Sequence, residues 1–129
     1  MGILRVLVIE DDQGVTAALR QVLALDGHEV VTAADGTTGL ALLQALPTPD
    51  VVLLDLALPG MTGGELAGRV AEDPVLRGTP LIVMTATTQA DLLPPPATYR
   101  ALLRKPFEVD EVLRCIAQTT VQTHAPVGA

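Results

Sequence analysis

Residues 3–9 read ILRVLVI and are followed at once by Glu10, Asp11 and Asp12. A run of this length that is apolar except for Arg5 is typical of a strand that is buried on both faces, as strands are in a parallel sheet. Four more short apolar runs follow along the chain, at residues 29–33, 51–54, 81–84 and 101–103. The sequence therefore predicts five strands.

Stretches with helical spacing separate these runs. In the first, Val15, Ala18, Leu19 and Val22 recur at i, i+3, i+4 and i+7, and Gly27 follows as a stop signal. Similar spacing predicts a second, a third and a final helix, marked by Leu40 and Leu43, by Leu66 and Val70, and by Val109, Val112, Leu113 and Ile116. Strands that alternate with helices indicate βαβ units, so we expect a doubly wound α/β fold with a five-stranded parallel sheet.

Length and composition limit the class of protein. With 129 residues, we expect one domain over residues 1–120 and a short tail over 121–129 that is too small for an effector domain. A net charge of −7 and only two aromatic residues disfavour binding to nucleic acid or to an anionic membrane. No apolar run approaches the roughly 18 residues of a spanning helix, so a cytoplasmic location and a protein partner are expected.

Chemically active residues follow the predicted strands. Ligands of such sheets bind beyond the carboxyl ends of the strands, where this chain has Glu10, Asp11, Asp55, Thr85 and its only lysine, Lys105. Each residue alone has an ordinary structural explanation, as a helix cap or a loop residue, but their coincidence at one sheet edge indicates a site. Clustered carboxylates repel unless a cation compensates, and their hard oxygen atoms suit Mg²⁺. The lysine ammonium and the threonine hydroxyl would then bind a phosphate or carboxylate.

Four segments also resemble a known family. They read VLVIEDD at 6–12, VVLLDLALPGMTG at 51–63, VMTA at 83–86 and KPF at 105–107. Together they resemble the receiver domain of bacterial two-component response regulators, over almost the whole chain. The resemblance implies a flavodoxin-like fold and a stand-alone phosphoprotein of phosphorelay signal transduction.

The resemblance also implies roles for individual residues. Asp55 would accept a phosphoryl group from the phosphohistidine of a sensor histidine kinase or of a phosphotransfer protein. Asp11, Asp55 and the Ala57 carbonyl would coordinate Mg²⁺, and Glu10 would assist through water. As an ionised carboxylate, Asp55 needs no general base.

Two further site residues complete the implied machinery. Thr85 and Lys105 would hold phosphoryl oxygen atoms, and the Lys105–Pro106 peptide bond is expected to be cis, as the equivalent bond in the family commonly is. Such a protein catalyses only its own phosphotransfer and dephosphorylation, so we do not expect an enzyme that acts on outside substrates. The downstream protein target is not indicated by any motif.

The chain departs from the family pattern at several positions. Leu102 stands three residues before Lys105, where the family usually has an aromatic side chain that responds to phosphorylation. Residues 94–96 are three consecutive prolines, which predict a shortened fourth helix over residues 89–93 and an extended segment after it. Ala57 and Thr87 occupy positions where longer polar side chains often help to hold the hydrolytic water, which predicts a long-lived phosphorylated state.

Other functional classes fit less well. A haloacid-dehalogenase-like phosphatase needs a second acid two residues after its nucleophile, where this chain has Ala57. A P-loop places a lysine beside Ser or Thr after a glycine-rich loop, whereas Lys105 precedes Pro106. The remaining alternative is a receiver-like module that binds proteins without phosphorylation. Leu102 and the prolines favour that alternative, and the complete acid, threonine and lysine set opposes it.

Overall fold

The computed structural model describes residues 2–45, 47–87 and 92–120, and the backbone of residues 121–123. Regular elements alternate along these residues in the order β1 (Arg5–Ile9), α1 (Gln13–Leu25), β2 (Glu29–Ala33), α2 (Gly36–Ala45), β3 (Val51–Asp55), α3 (Gly63–Glu72), β4 (Leu81–Thr85), β5 (Ala101–Arg104) and α4 (Val109–Thr123). The strands form one parallel sheet in the order β2-β1-β3-β4-β5. The predicted doubly wound, flavodoxin-like architecture is confirmed.

Helices cover both faces of the sheet because the strand side chains alternate between two apolar clusters. Val6 and Val8 of β1 pack on the side of α1 and α4, together with Leu23 and Ile116. Leu7 and Ile9 point to the opposite face, which α2 and α3 cover through residues such as Leu43, Leu66 and Val70. All five residues of β3 and all five of β4 are buried. Burial on both faces explains why these strands are continuous apolar runs rather than alternating ones.

The helix that follows the acidic residues begins with a side-chain cap. Asp12 accepts hydrogen bonds from the backbone N–H groups of Gly14 and Val15, at 2.9 and 3.1 Å. These bonds satisfy donors that the first turn of α1 would otherwise leave unpaired. At the other end, Gly27 has a φ of 90°, a left-handed conformation that glycine adopts without strain. Of the three consecutive acids, Asp12 therefore caps α1. Glu10 and Asp11 are the two that the sequence analysis assigned to the predicted site at the sheet edge.

The connection between β4 and β5 differs in part from the prediction. Most of the expected fourth helix over 89–93 lies outside the described residues, because these leave out residues 88–91. Pro95 is extended, but Pro96–Thr98 form a turn of 3₁₀ helix, which corrects the prediction of a continuous extended segment. The turn closes because the Thr98 N–H and hydroxyl both donate to the Pro95 carbonyl, at 2.9 and 2.7 Å. Pro96 fits the first helical position, since that position needs no N–H donor.

The last helix, α4, is fifteen residues long and runs to Thr123, three residues beyond the predicted domain boundary at 120. The division into a domain and a tail stays a prediction. None of the helices in the described part of the chain combines the length and the apolar character that crossing a membrane requires.

Candidate functional site

Three carboxylates meet at the carboxyl edge of the sheet. Glu10 follows β1 and Asp55 ends β3, and these strands are neighbours with Ile9 paired to Leu54. One carboxylate oxygen from each of Glu10, Asp11 and Asp55 lies within 4.8 Å of the others. Glu10 is 2% exposed and Asp55 3% exposed, whereas Asp11 is exposed. The cluster is therefore buried on one side and open to solvent on the other.

The only lysine reaches this cluster across the end of β4. The Lys105 Nζ lies 2.5 Å from Glu10 Oε1 and 3.5 Å from Asp55 Oδ1. Its backbone N–H donates to the Thr85 carbonyl at 2.8 Å, which joins the ends of β4 and β5. The Lys105–Pro106 bond is cis, as expected. The arrangement brings one positive charge to two buried negative ones.

These charges perturb each other. Burial, followed by the hydrogen bond with Asp55, raises the pKa of Glu10 to about 7, although Lys105 acts in the opposite direction. Burial would lower the pKa of Lys105, but the hydrogen bond to Glu10 and the charge of Asp55 outweigh that effect and raise it. The ammonium therefore stays charged, and the site holds more negative charge than one lysine compensates.

Thr85 lies beside the cluster at the end of β4 and is 4% exposed. Its hydroxyl oxygen accepts a hydrogen bond from the Thr87 N–H at 3.0 Å. On the other side, the Ala57 N–H donates to Asp55 Oδ1 at 3.3 Å. The structure thus brings together Glu10, Asp11, Asp55 and Lys105, and places Thr85 and Ala57 at the loops that border them. The functional roles predicted for these residues stay predictions.

Two residues at this edge have structural roles that the sequence analysis missed. A Cβ atom at Gly63 would lie 2.4 Å from the Asp55 carbonyl oxygen, so α3 begins directly against the end of β3. The Arg104 guanidinium donates to the Thr87 carbonyl through Nη1 at 2.6 Å. Gly63 ends the quoted motif at 51–63 and so carried a signal, whereas nothing in the sequence around Arg104 indicates its contact.

An apolar groove lies between α1 and α4 and opens beside the cluster. Its volume is about 510 Å³, and its lining includes Val15, Leu19, Phe107 and Val109, with Lys105 at the site. Val109, at the edge of the groove, is 49% exposed. The groove offers an apolar surface directly adjacent to the acids.

Comparison with known proteins decides the family. A family model described as the response regulator receiver domain matches residues 6–117. The chain belongs to the response regulator receiver family. This receiver domain is 32% identical over 111 residues to Sporulation initiation phosphotransferase F of Bacillus subtilis. The aligned residues are 84% of this chain and 86% of that protein.

Other similar proteins share the same receiver fold. The receiver domain is 38% identical over 82 residues to Response regulator PleD of Caulobacter vibrioides, and these residues are 64% of this chain but only 18% of PleD. It superimposes with a TM-score of 0.85 on the crystal structure of a CheY-like response regulator receiver domain protein from Methanospirillum hungatei JF-1, at 25% identity, covering 95% of this chain and 97% of that one. The resemblance seen in the sequence is confirmed, and the chain is a receiver domain of two-component signalling.

Proposed function

We propose that Asp55 accepts a phosphoryl group, in a reaction that depends on Mg²⁺, from the phosphohistidine of a sensor histidine kinase or of a phosphotransfer protein. The observation that supports this most strongly is the meeting of three carboxylates from two strand ends with the only lysine of the chain. A module that only binds other proteins would have no need to keep this buried charge together. Buried charge costs desolvation free energy even when it is paired, and a structural role does not explain why it is retained.

The donor atoms fit a magnesium ion. Glu10, Asp11 and Asp55 offer hard oxygen atoms within 4.8 Å of one another, and the exposure of Asp11 leaves room for water ligands. We propose that Asp11, Asp55 and the Ala57 carbonyl hold the ion, with Glu10 acting through water. When bound, the ion would neutralise negative charge on the acids and on the incoming phosphoryl oxygen atoms.

Each residue of the site has a separate role in the proposed reaction. The Asp55 carboxylate attacks the phosphorus atom, a P–O bond forms, and the P–N bond breaks with its electron pair returning to the donor histidine ring. Lys105, already 3.5 Å from Asp55 Oδ1, is placed to pair with the added negative charge. The Thr85 hydroxyl donates to a phosphoryl oxygen. The chain acts only on itself, so we do not propose turnover of outside phosphate esters.

The groove between α1 and α4 supports docking of a protein donor. Lys105, which lies beside Asp55, forms one end of the groove. A partner helix bound in the groove would therefore bring a phosphohistidine close to Asp55. Signal output would then follow by docking of the phosphorylated form onto a target protein or by onward phosphotransfer. A cytoplasmic location and the absence of nucleic-acid and membrane partners stay predictions.

Intact-mass analysis after incubation with a small acyl phosphate tests the proposed function. We expect the gain of one phosphoryl group in the presence of Mg²⁺ and no gain in chelator. Asp55→Asn is expected to abolish the gain, because an amide is a poor nucleophile. The matched control is Asp35→Asn, which makes the same change at the residue just before α2. There the Asp35 side chain accepts a hydrogen bond from the Thr38 N–H. A gain that survives Asp55→Asn, or that is equal in chelator, would contradict the proposal.

The phosphorylated state is expected to be long-lived. Ala57 has no polar side-chain atom, and Thr87 is shorter than Gln or Glu, so neither orients a water molecule well for attack on the acyl phosphate. Every lost 1.4 kcal/mol or so of transition-state stabilisation slows hydrolysis about tenfold. The double variant Ala57→Asn with Thr87→Glu should shorten the lifetime about tenfold or more.

The lifetime is measured by mass spectrometry after removal of the donor. Mg²⁺ affinity should not fall in the double variant, because the proposed ligand at position 57 is the backbone carbonyl. A lifetime equal to that of the parent, or longer, would show that water positioning does not limit hydrolysis.

A further inference from the structure

We propose that Arg104 is a positioning residue for phosphotransfer: its guanidinium holds the turn after β4, and this turn orients the Thr85 hydroxyl towards the phosphoryl group. The inference rests on the proposed function of Asp55. It assigns a role to a side chain that lies at the surface, outside the acid, threonine and lysine set.

The contact joins the end of β5 to the turn after β4, between residues that are seventeen positions apart in sequence. Arg104 ends β5 and is paired in register with Thr85, the last residue of β4. Its Nη1 lies 2.6 Å from the Thr87 carbonyl oxygen, a charge-assisted hydrogen bond. The next residue, Lys105, donates its N–H to the Thr85 carbonyl at 2.8 Å. Arg104 and the next residue, Lys105, thus hold the backbone at Thr87 and at Thr85.

The turn held by Arg104 is the one that orients the hydroxyl. The Thr87 N–H donates to Thr85 Oγ1 at 3.0 Å. A hydroxyl that accepts one hydrogen bond still has its own proton to donate. The Thr87 N–H occupies one lone pair of the oxygen and so limits the directions in which the hydroxyl can donate its proton to a phosphoryl oxygen. The backbone of Thr87 therefore links the Arg104 guanidinium to the orientation of Thr85.

Removal of the guanidinium should loosen this link. Without the hydrogen bond from Arg104 to the Thr87 carbonyl, the turn that presents the Thr87 N–H to Thr85 would sample other conformations more often. A misdirected hydroxyl lowers the rate without removing any group that touches the phosphoryl group. Arg104 also carries a positive charge that attracts an anionic donor at a distance, and the test must separate this effect from positioning.

A double-mutant cycle makes that separation. We expect Arg104→Ala to slow phosphorylation of Asp55 by an acyl phosphate about tenfold, and Arg104→Lys to restore part of the rate by supplying another charged donor. In a Thr85→Ala background, Arg104→Ala should have no further effect, because there is no hydroxyl left to orient. The control is Arg77→Ala, which removes the same charge from an exposed residue before β4, at the opposite edge of the sheet.

Two results would overturn the proposal in this experiment. One is an effect of Arg104→Ala that persists in full in the Thr85→Ala background, as a long-range charge effect would. The other is an equal loss of rate in Arg77→Ala.

Amide hydrogen exchange of the unphosphorylated protein gives a readout that does not need phosphotransfer. Arg104→Ala should speed exchange at the Thr87 amide about tenfold, and Arg77→Ala should not. Unchanged exchange at Thr87 would overturn the proposal even if Asp55 is phosphorylated. If instead the parent protein gains no phosphoryl group, the proposed function fails and the positioning role fails with it, while the exchange data still show whether Arg104 holds the turn.

Discussion

Asp11→Ala is expected to abolish Mg²⁺ binding and phosphorylation of Asp55 together. Asp11 is the exposed member of the acid cluster, and Glu10 is already paired with Lys105 at 2.5 Å. Without Asp11, the proposed metal site would lose one of its two carboxylate ligands, and Mg²⁺ affinity depends on the number of charged ligands. Without the ion, an incoming phosphoryl group meets uncompensated negative charge. Calorimetric titration with Mg²⁺ and intact-mass analysis measure the two losses.

The neighbouring acid supplies a matched control. Asp12→Asn removes the same charge one residue further along, but it keeps a side chain that can accept from the N–H groups of Gly14 and Val15. We expect this variant to bind Mg²⁺ and to be phosphorylated. Equal losses in the two variants would indicate a general charge effect and would contradict a specific role for Asp11.

Gly63→Ala is expected to destabilise the protein by about 3 kcal/mol, the upper part of the range for overpacking. The new Cβ would lie 2.4 Å from the Asp55 carbonyl oxygen and 2.7 Å from Leu56 Cα, both backbone atoms that cannot move aside cheaply. In a domain of this size the midpoint of thermal unfolding should fall by about 10 °C. Because α3 must shift away from β3, phosphorylation of Asp55 should also slow.

The same helix contains the control for this prediction. A Cβ at Gly68 would have no neighbouring atom within 4 Å, and Gly68 lies in the interior of α3. Gly68→Ala should therefore raise stability by up to about 1 kcal/mol, the difference in helix propensity between alanine and glycine. Thermal unfolding followed by circular dichroism compares the two. Unfolding midpoints that change in the same direction would show that close approach at Gly63 is not the cause.

Much of the fold could be predicted because the central strands β1, β3 and β4 are buried on both faces of the sheet. The central strands are largely apolar runs that end where the chain reaches a polar residue at the sheet edge, as the run of β1 does at Ile9 before Glu10 and that of β3 does at Leu54 before Asp55. Parallel pairing then brings these ends together without further information. The positions of Thr85 and Lys105 at the same edge follow from the same rule.

Pairwise contacts were harder to predict, because they depend on side-chain reach across strands. The ion pair between Lys105 and Glu10 joins residues 95 positions apart, and only the strand order makes it possible. The turn at Pro96–Thr98 was missed because three prolines in a row favour an extended chain, and the Thr98 bonds to Pro95 act against that preference. Leu102, paired with Val83 in the sheet, is only partly exposed and lacks the ring that the family pattern led us to look for.

The course of α4 has a practical consequence for attaching the protein to a surface or to a reporter. The helix begins beside Lys105, and Ile116 packs in the same cluster as Leu4, which precedes the first strand. Fifteen residues of α-helix span about 22 Å, and a five-residue strand spans about 17 Å, so α4 traverses the full depth of the sheet. A tether joined after Thr123 would leave from the edge opposite Asp55. Immobilisation there leaves the acids and the groove open to a partner, so binding kinetics could be recorded without steric interference from the support.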